Sequence, residues 1–354
     1  MYSATDQQEA FPVAQGASDG EPEGFSARRA RREAAARFHD HVAELWSGGA
    51  ESPLPGSGRT AERFAALASV AAEDLSAARL VEGHVDAVAI LAELGGPEPA
   101  VGQLWGVWAA EPPGEGLKAV RTQDGWSLSG LKRYCSGAHS CTHALVTARA
   151  GDGRRLFAVS TGVGEGGATG YRPVAGSWQA IGMAGSDTPD VGFEDVAAVP
   201  VGGVDAYVTR AGFQHGGIGV AACWLGGARA VGGELLRAAA RRGPDPITDA
   251  HLGAVDMRLH AAEAVLRQAA AEIDDDPFDK GGTARVRSLR VRAFVESVCA
   301  DVLTHVGRAT GAGPLCHDER HARAATDLAV YIRQHHAERN LAELGALVAG
   351  QERS

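Results

Sequence analysis

The sequence predicts an α+β protein in three parts: an N-terminal helical region, a central β domain and a C-terminal four-helix bundle. Three observations predict it. Apolar residues recur at three- and four-residue spacing over residues 26–100 and again over 207–354. Residues 101–206 instead break into short strand-like runs divided by glycine turns. Strands and helices nowhere alternate, which excludes a parallel sheet of βαβ units and the dinucleotide fold built on it.

Each part follows from its residues. Residues 1–25 are rich in Gly, Ser, Pro, Glu and Gln without apolar period, so a flexible tail is expected there. From Ser26 the Ala-rich stretches SARRARREAAARFHDHVAELW and AERFAALASVAAEDLSAARLVEGHVDAVAILAEL read as two or three antiparallel helices, broken by SGGAESPLPGSG. The runs VGQLWGVWA, AVRT, GWSLSGLKRYCS, THALVTARA, RLFAVST and VGFEDVAAV then read as strands, with DG and GDG between them as turns. The glycine cluster GVGEGGATG opens no helix and reads as a loop, not a phosphate cradle. Beyond Tyr207 four stretches are long enough for bundle helices, the last being HARAATDLAVYIRQHHAERNLAELG.

Composition narrows the function classes. Lys and Arg number 34 against 44 Asp and Glu, a formal charge of -10, so nucleic acid is not an expected partner. Five cysteines without CxxC spacing argue for reduced thiols, a cytoplasmic setting and no disulfide framework. No apolar window is long enough for a membrane span, and no export signal is expected.

Three pieces could carry chemistry. WGVWAAEPPGEG, residues 105–116, is a strand running into a Glu-Pro turn. The strand DGWSLSGLKRYCSGA ends at Tyr134, Cys135 and Ser136, where a planar heteroaromatic ligand could lie against the strand ends; an ordinary hairpin with a capping serine is the plainer alternative. WQAIGMAGSDTPDVGFEDVAAVP, residues 178–200, follows. In this order, between helical regions, the pieces resemble the acyl-CoA dehydrogenase family of flavoproteins, a likeness that covers nearly everything after Ser26. Ala110-Glu111-Pro112 look like its Thr-Glu-Pro turn, Gly130 to Ser136 like its flavin-flanking strand, and Gly182-Met183 through Ser186, Thr188, Phe193-Glu194-Asp195-Val196 and Pro200 like its third motif.

The resemblance implies one FAD per subunit between the β domain and the bundle, with Ala109, Ala110, Tyr134, Cys135 and Ser136 as its β-domain neighbours. It implies that Arg241 or Arg242 meets the pyrophosphate, with His251 where the family has Gln; a basic pair at a helix end equally suits the helix dipole. Gly311 and Gly313 look like the family's glycine pair before the last helix. It further implies a homodimer or homotetramer built on the bundle. The implied reaction is α,β-dehydrogenation of an acyl-CoA or similar acyl thioester, with electrons passed to a separate acceptor. That reaction needs a carboxylate base, and neither of the family's two usual Glu positions is filled: no EGT follows near the end, and Gly216 stands in the early alternative.

His215, Asp327, and the pair His335 and His336 are the candidate replacements; for Asp327 an exposed helix position or an ion pair with Arg323 is the alternative, and for the His pair an exposed helix face. A two-component flavin monooxygenase, whose members lack the Glu and often carry His on the last helices, or a catalytically degenerate relative, are the competing readings. If one helix ran through both, His317 and His321 would share a face, but no carboxylate context supports a metal site.

Overall fold

A computed structural model of the chain describes residues 26–47, 52–111, 116–164 and 168–351. The tail expected over residues 1–25 lies outside the described residues, as do Pro112 and Glu115 of the Glu-Pro turn and the middle of the glycine cluster. Helices α1 (Ala27–Ser47), α2 (Thr60–Glu73) and α3 (Leu75–Leu94) come first. Asp74 sets the start of α3, its carboxylate accepting the Ala77 N–H at 2.9 Å, and Gly95, at φ 67°, ends it.

Seven strands follow: β1 (Trp105–Trp108), β2 (Lys118–Thr122), β3 (Gly125–Lys132), β4 (His143–Ala150), β5 (Gly153–Ser160), β6 (Tyr171–Pro173) and β7 (Val191–Val201). Their pairing runs β4-β2-β3-β7-β5 and returns from β5 to β4, so the sheet closes on itself. Closure leaves only the short strands β1 and β6 paired on one side, which limits the edges that would invite aggregation. The expected GDG turn closes β4 on β5, with Ala150 opposite Gly153. β1 lies parallel to β4, Trp105 beside His143, and brings the chain from α3 into the sheet. β6 pairs with β7 and was not foreseen, because three residues around a proline carry no strand period.

After a single turn, α4 (Ala206–Thr209), come the long helices α5 (Ala211–Arg242), α6 (Pro246–Asp275) and α7 (Ala284–Thr310). The fourth long helix expected from the sequence is not continuous. A short helix, α8 (Gly313–His317), precedes it, and the stretch itself divides into α9 (Glu319–Tyr331) and α10 (Ala337–Gln351). Asp318 takes an extended conformation and caps α9 by accepting the His321 N–H at 3.0 Å, so His317 and His321 stand on separate helices and do not share a face. A second break follows Tyr331, where a 3-10 turn over Ile332–Gln334 leads into extended His335. One apolar core runs through all three parts, from Phe38 and Phe64 through Trp108 and Phe157 to Trp224 and Val302. No described helix is long and apolar enough to cross a membrane.

Candidate functional site

The β-domain wall forms first. β3 ends at Lys132 and turns through Tyr134, whose φ of 59° is a left-handed conformation that swings the ring outward and leaves it 51% exposed. Cys135 goes the other way and is fully buried, its Sγ 3.4 Å from the Lys132 carbonyl. Ser136 is fixed from both sides: Trp108 Nε1 donates to its carbonyl at 2.9 Å, and Thr188 Oγ1 donates to its hydroxyl at 3.1 Å. That second bond joins two motifs far apart in sequence, since Gly137 also donates to the carbonyls of Ser186 and Asp187. Ala109 and Ala110 continue β1 outward with small side chains. A narrow cleft lies here, lined by Arg79, Leu80 and Gly83 of α3, Gly106 and Val107 of β1, and Ser136 and Cys141.

Behind this wall α3 presents a polar stripe. Arg79, Glu82, Asp86 and Glu93 follow the helical repeat and face the bundle. Arg79 donates to Glu82 at 2.7 Å, and Arg210, leading into α5, reaches Glu93 at 2.7 Å and Asp86 at 4.0 Å. Burial raises the Glu82 carboxyl well above the usual range, against the pull of Arg79. Asp86 keeps one carboxylate oxygen buried and unpartnered. That oxygen lies where a side chain at position 216 would go, since a Cβ on Gly216 would meet Asp86 Oδ1 at 2.7 Å. The missing side chain at Gly216 thus leaves room for a carboxylate from another helix.

The far side is built by α5, α7 and the α9–α10 turn. Arg292 lies over the Trp224 ring at 4.7 Å and donates to the Gly217 carbonyl at 2.5 Å and the Gln334 carbonyl at 3.3 Å. Tyr331 meets the same Trp224 edge-on at 6.3 Å, 2% exposed, its hydroxyl unpartnered. His335 is 4% exposed with Nδ1 unpartnered, while its neighbour His336 faces solvent. Burial first, then the Arg292 charge, lowers the pKa of His335, so its imidazole is neutral at physiological pH. The sequence signal for His335 was only its place beside charged residues, which reads as an exposed face; burial comes from the break after Tyr331.

The other expected site residues are distributed differently. His215 is 2% exposed on the first turns of α5, its Nε2 unpartnered and its pKa lowered by burial and then by Arg287. Asp327 does not pair with Arg323, which instead reaches Glu33 at 2.8 Å and Asp74 at 3.5 Å. Its carboxylate is 5% exposed and ties α9 to two other elements, accepting from the Met183 N–H at 2.5 Å and the Ser76 hydroxyl at 3.2 Å. Burial raises its pKa to about 6. Arg241 donates to Glu234 at 2.6 Å, and the Arg242 side chain lies outside the described residues. His251 Nδ1 sits 2.9 Å from His305 Nδ1, joining α6 to α7. No group of three or more metal-ligating side chains is found among the described residues.

No protein-family model matches the sequence, and no curated protein sequence matches it. Solved structures do. The dibenzothiophene monooxygenase TdsC from a Paenibacillus species superposes with a TM-score of 0.70 at 19% identity, over 92% of this chain and 97% of that one. Butyryl-CoA dehydrogenase from Megasphaera elsdenii gives 0.68 at 17% identity, over 95% and 100%. The chain has the acyl-CoA dehydrogenase fold. A nitrososynthase from Micromonospora carbonacea, at 0.70 and 22% identity over 92% and 93%, shows another chemistry on this same acyl-CoA dehydrogenase fold, which fixes the scaffold and leaves the reaction to the site. TdsC has been solved bound to FMN and indole.

Proposed function

We propose that this protein is a flavin-dependent monooxygenase acting on a small organic substrate held against the α3–α5–α9 cluster. The observation that carries it is His335: the turn where the family resemblance expects a carboxylate base supplies instead a buried, neutral imidazole with a free ring nitrogen. The β-domain wall suits a flavin, because Tyr134 offers an exposed ring, Ser136 a fixed hydroxyl, and Ala109 and Ala110 no bulk. Bound reduced flavin would supply the two electrons that, with dioxygen, place one oxygen atom on substrate and release the other as water. His335 would hold or deliver the proton this needs at Nδ1, and Tyr331 and Trp224, whose buried Nε1 is also unpartnered, would donate to polar atoms of the bound molecule. The cluster, closed over by α7 and α9, would keep water from the reacting atoms. FMN is favoured over FAD because Arg241, expected at a pyrophosphate, is already engaged by Glu234. A separate reductase would then be the partner.

Acyl-CoA dehydrogenation stands as a second reading, favoured by the bare Asp86 oxygen beside Gly216 and by the raised Glu82 carboxyl. Anaerobic addition of butyryl-, hexanoyl- and octanoyl-CoA to flavin-loaded protein separates the two. The oxygenase reading expects the oxidised flavin bands to persist; bleaching by any of the three thioesters would establish the dehydrogenase. We also infer a homo-oligomer formed through the bundle, supported by Leu236, Ile247 and Met257, large apolar side chains exposed on α5 and α6.

A further inference from the structure

The charge inside the cluster does not balance. Four guanidiniums, those of Arg63, Arg79, Arg210 and Arg292, face three carboxylates, those of Glu82, Asp86 and Glu93. Arg79 and Arg210 have their carboxylate partners. Arg63 bonds only the Pro53 carbonyl and the Ser52 hydroxyl, and Arg292 only the carbonyls of Gly217 and Gln334; neither has a carboxylate within 4 Å among the described residues. Arg63 is buried and Arg292 half-buried, and a cation so placed without a counter-ion is costly, with carbonyl oxygens relieving only part of that cost. Burial lowers the pKa of Arg292 to about 10, which still leaves it charged at neutral pH.

Arg292 is also the best placed of the four to meet a ligand. Two of its five N–H groups are spent on carbonyls, and its planar fork suits a carboxylate. Around it stand the unpartnered Tyr331 hydroxyl and the Trp224 Nε1, with His335 one residue beyond the carbonyl it bonds. Burial raises Glu82 to about 7, so the excess is at least one positive charge at neutral pH and calls for an anion. We propose that this cluster binds a substrate carrying a single carboxylate, with Arg292 as its counter-ion and Tyr331 as its hydrogen-bond donor. The proposal rests on the reading that the cluster is the substrate site; anionic reduced flavin is the other source of the same charge.

Isothermal titration of the full-length protein with two acid and amide pairs tests it: benzoate against benzamide, and hexanoate against hexanamide, each with and without FMN. At least one carboxylate should bind about tenfold or more tighter than its own amide, with FMN present or absent. Arg292→Gln should bring that carboxylate down to the affinity of its amide, and Arg292→Lys should keep part of the preference. Equal behaviour of acid and amide in both pairs, or carboxylate binding untouched by Arg292→Gln, overturns the proposal. Carboxylate binding that FMN abolishes also overturns it, because the charge then serves the flavin. Failure of the oxygenase reading would show separately, as reduced flavin that reacts with dioxygen as though free while the carboxylate preference survives.

Discussion

Burial removes water from His335, Tyr331 and Asp86 without giving every polar atom a protein partner, and such atoms are costly unless something else meets them. His335→Asn keeps a polar side chain but loses the proton carrier. Its expected effect is a fall of about a hundredfold in substrate oxygenation, with hydrogen peroxide released in place of product. Unchanged coupling of oxygen uptake to product would remove His335 from the reaction. Asp327 makes the opposite use of burial, since both its oxygens are bonded and the residue locks the Met183 turn, itself at φ 59°, against α9. Its folded pKa of about 6 lies above the ordinary 3.8, so its protonated form stabilises the fold below about pH 4 and that contribution is lost as pH rises through 6. Thermal melts should therefore fall across that window in the parent and stay flatter in Asp327→Asn. Asp327→Ala, which orphans the Met183 N–H, should cost about 2 kcal/mol by denaturant unfolding at pH 4, and less as pH rises through 6.

The elements explain what the sequence could and could not disclose. Turn chemistry and period-2 runs are local, so β2 through β5 with their DG and GDG turns were legible, and so were α5, α6 and α7. The break between α9 and α10 was not, because RQHHAERN carries neither Gly nor Pro. Likewise no local pattern marks Arg79, Glu82 and Asp86 as a site; only the approach of α5, a tertiary fact, buries Glu82 and half-buries the other two. The Ser136 turn was found from its motif, whereas its bond to Thr188 required the fold. Close packing makes its own prediction. A Cβ on Gly226 would stand 2.1 Å from the Ala68 carbonyl, so α5 and α2 touch backbone to backbone there. Gly226→Ala should destabilise by about 2 kcal/mol or more in denaturant unfolding, and a neutral result would mean the two helices slide freely.

Across the whole molecule, the closed β domain supplies a rigid wall and the bundle an adaptable polar face, so one scaffold serves different reactions by changing a few residues on the helices. Sedimentation velocity should find a dimer or tetramer, and Met257→Glu should shift it toward monomer if the exposed face of α6 is the contact. The central claim is that this scaffold handles reduced flavin and dioxygen. The most direct measurement mixes the protein, loaded anaerobically with reduced FMN, with oxygenated buffer, and follows flavin absorbance and hydrogen peroxide together. Bound flavin should regain its oxidised bands about tenfold or more slowly than free flavin, and His335→Asn should return toward the free rate. Reoxidation and peroxide release indistinguishable from free FMN would contradict it.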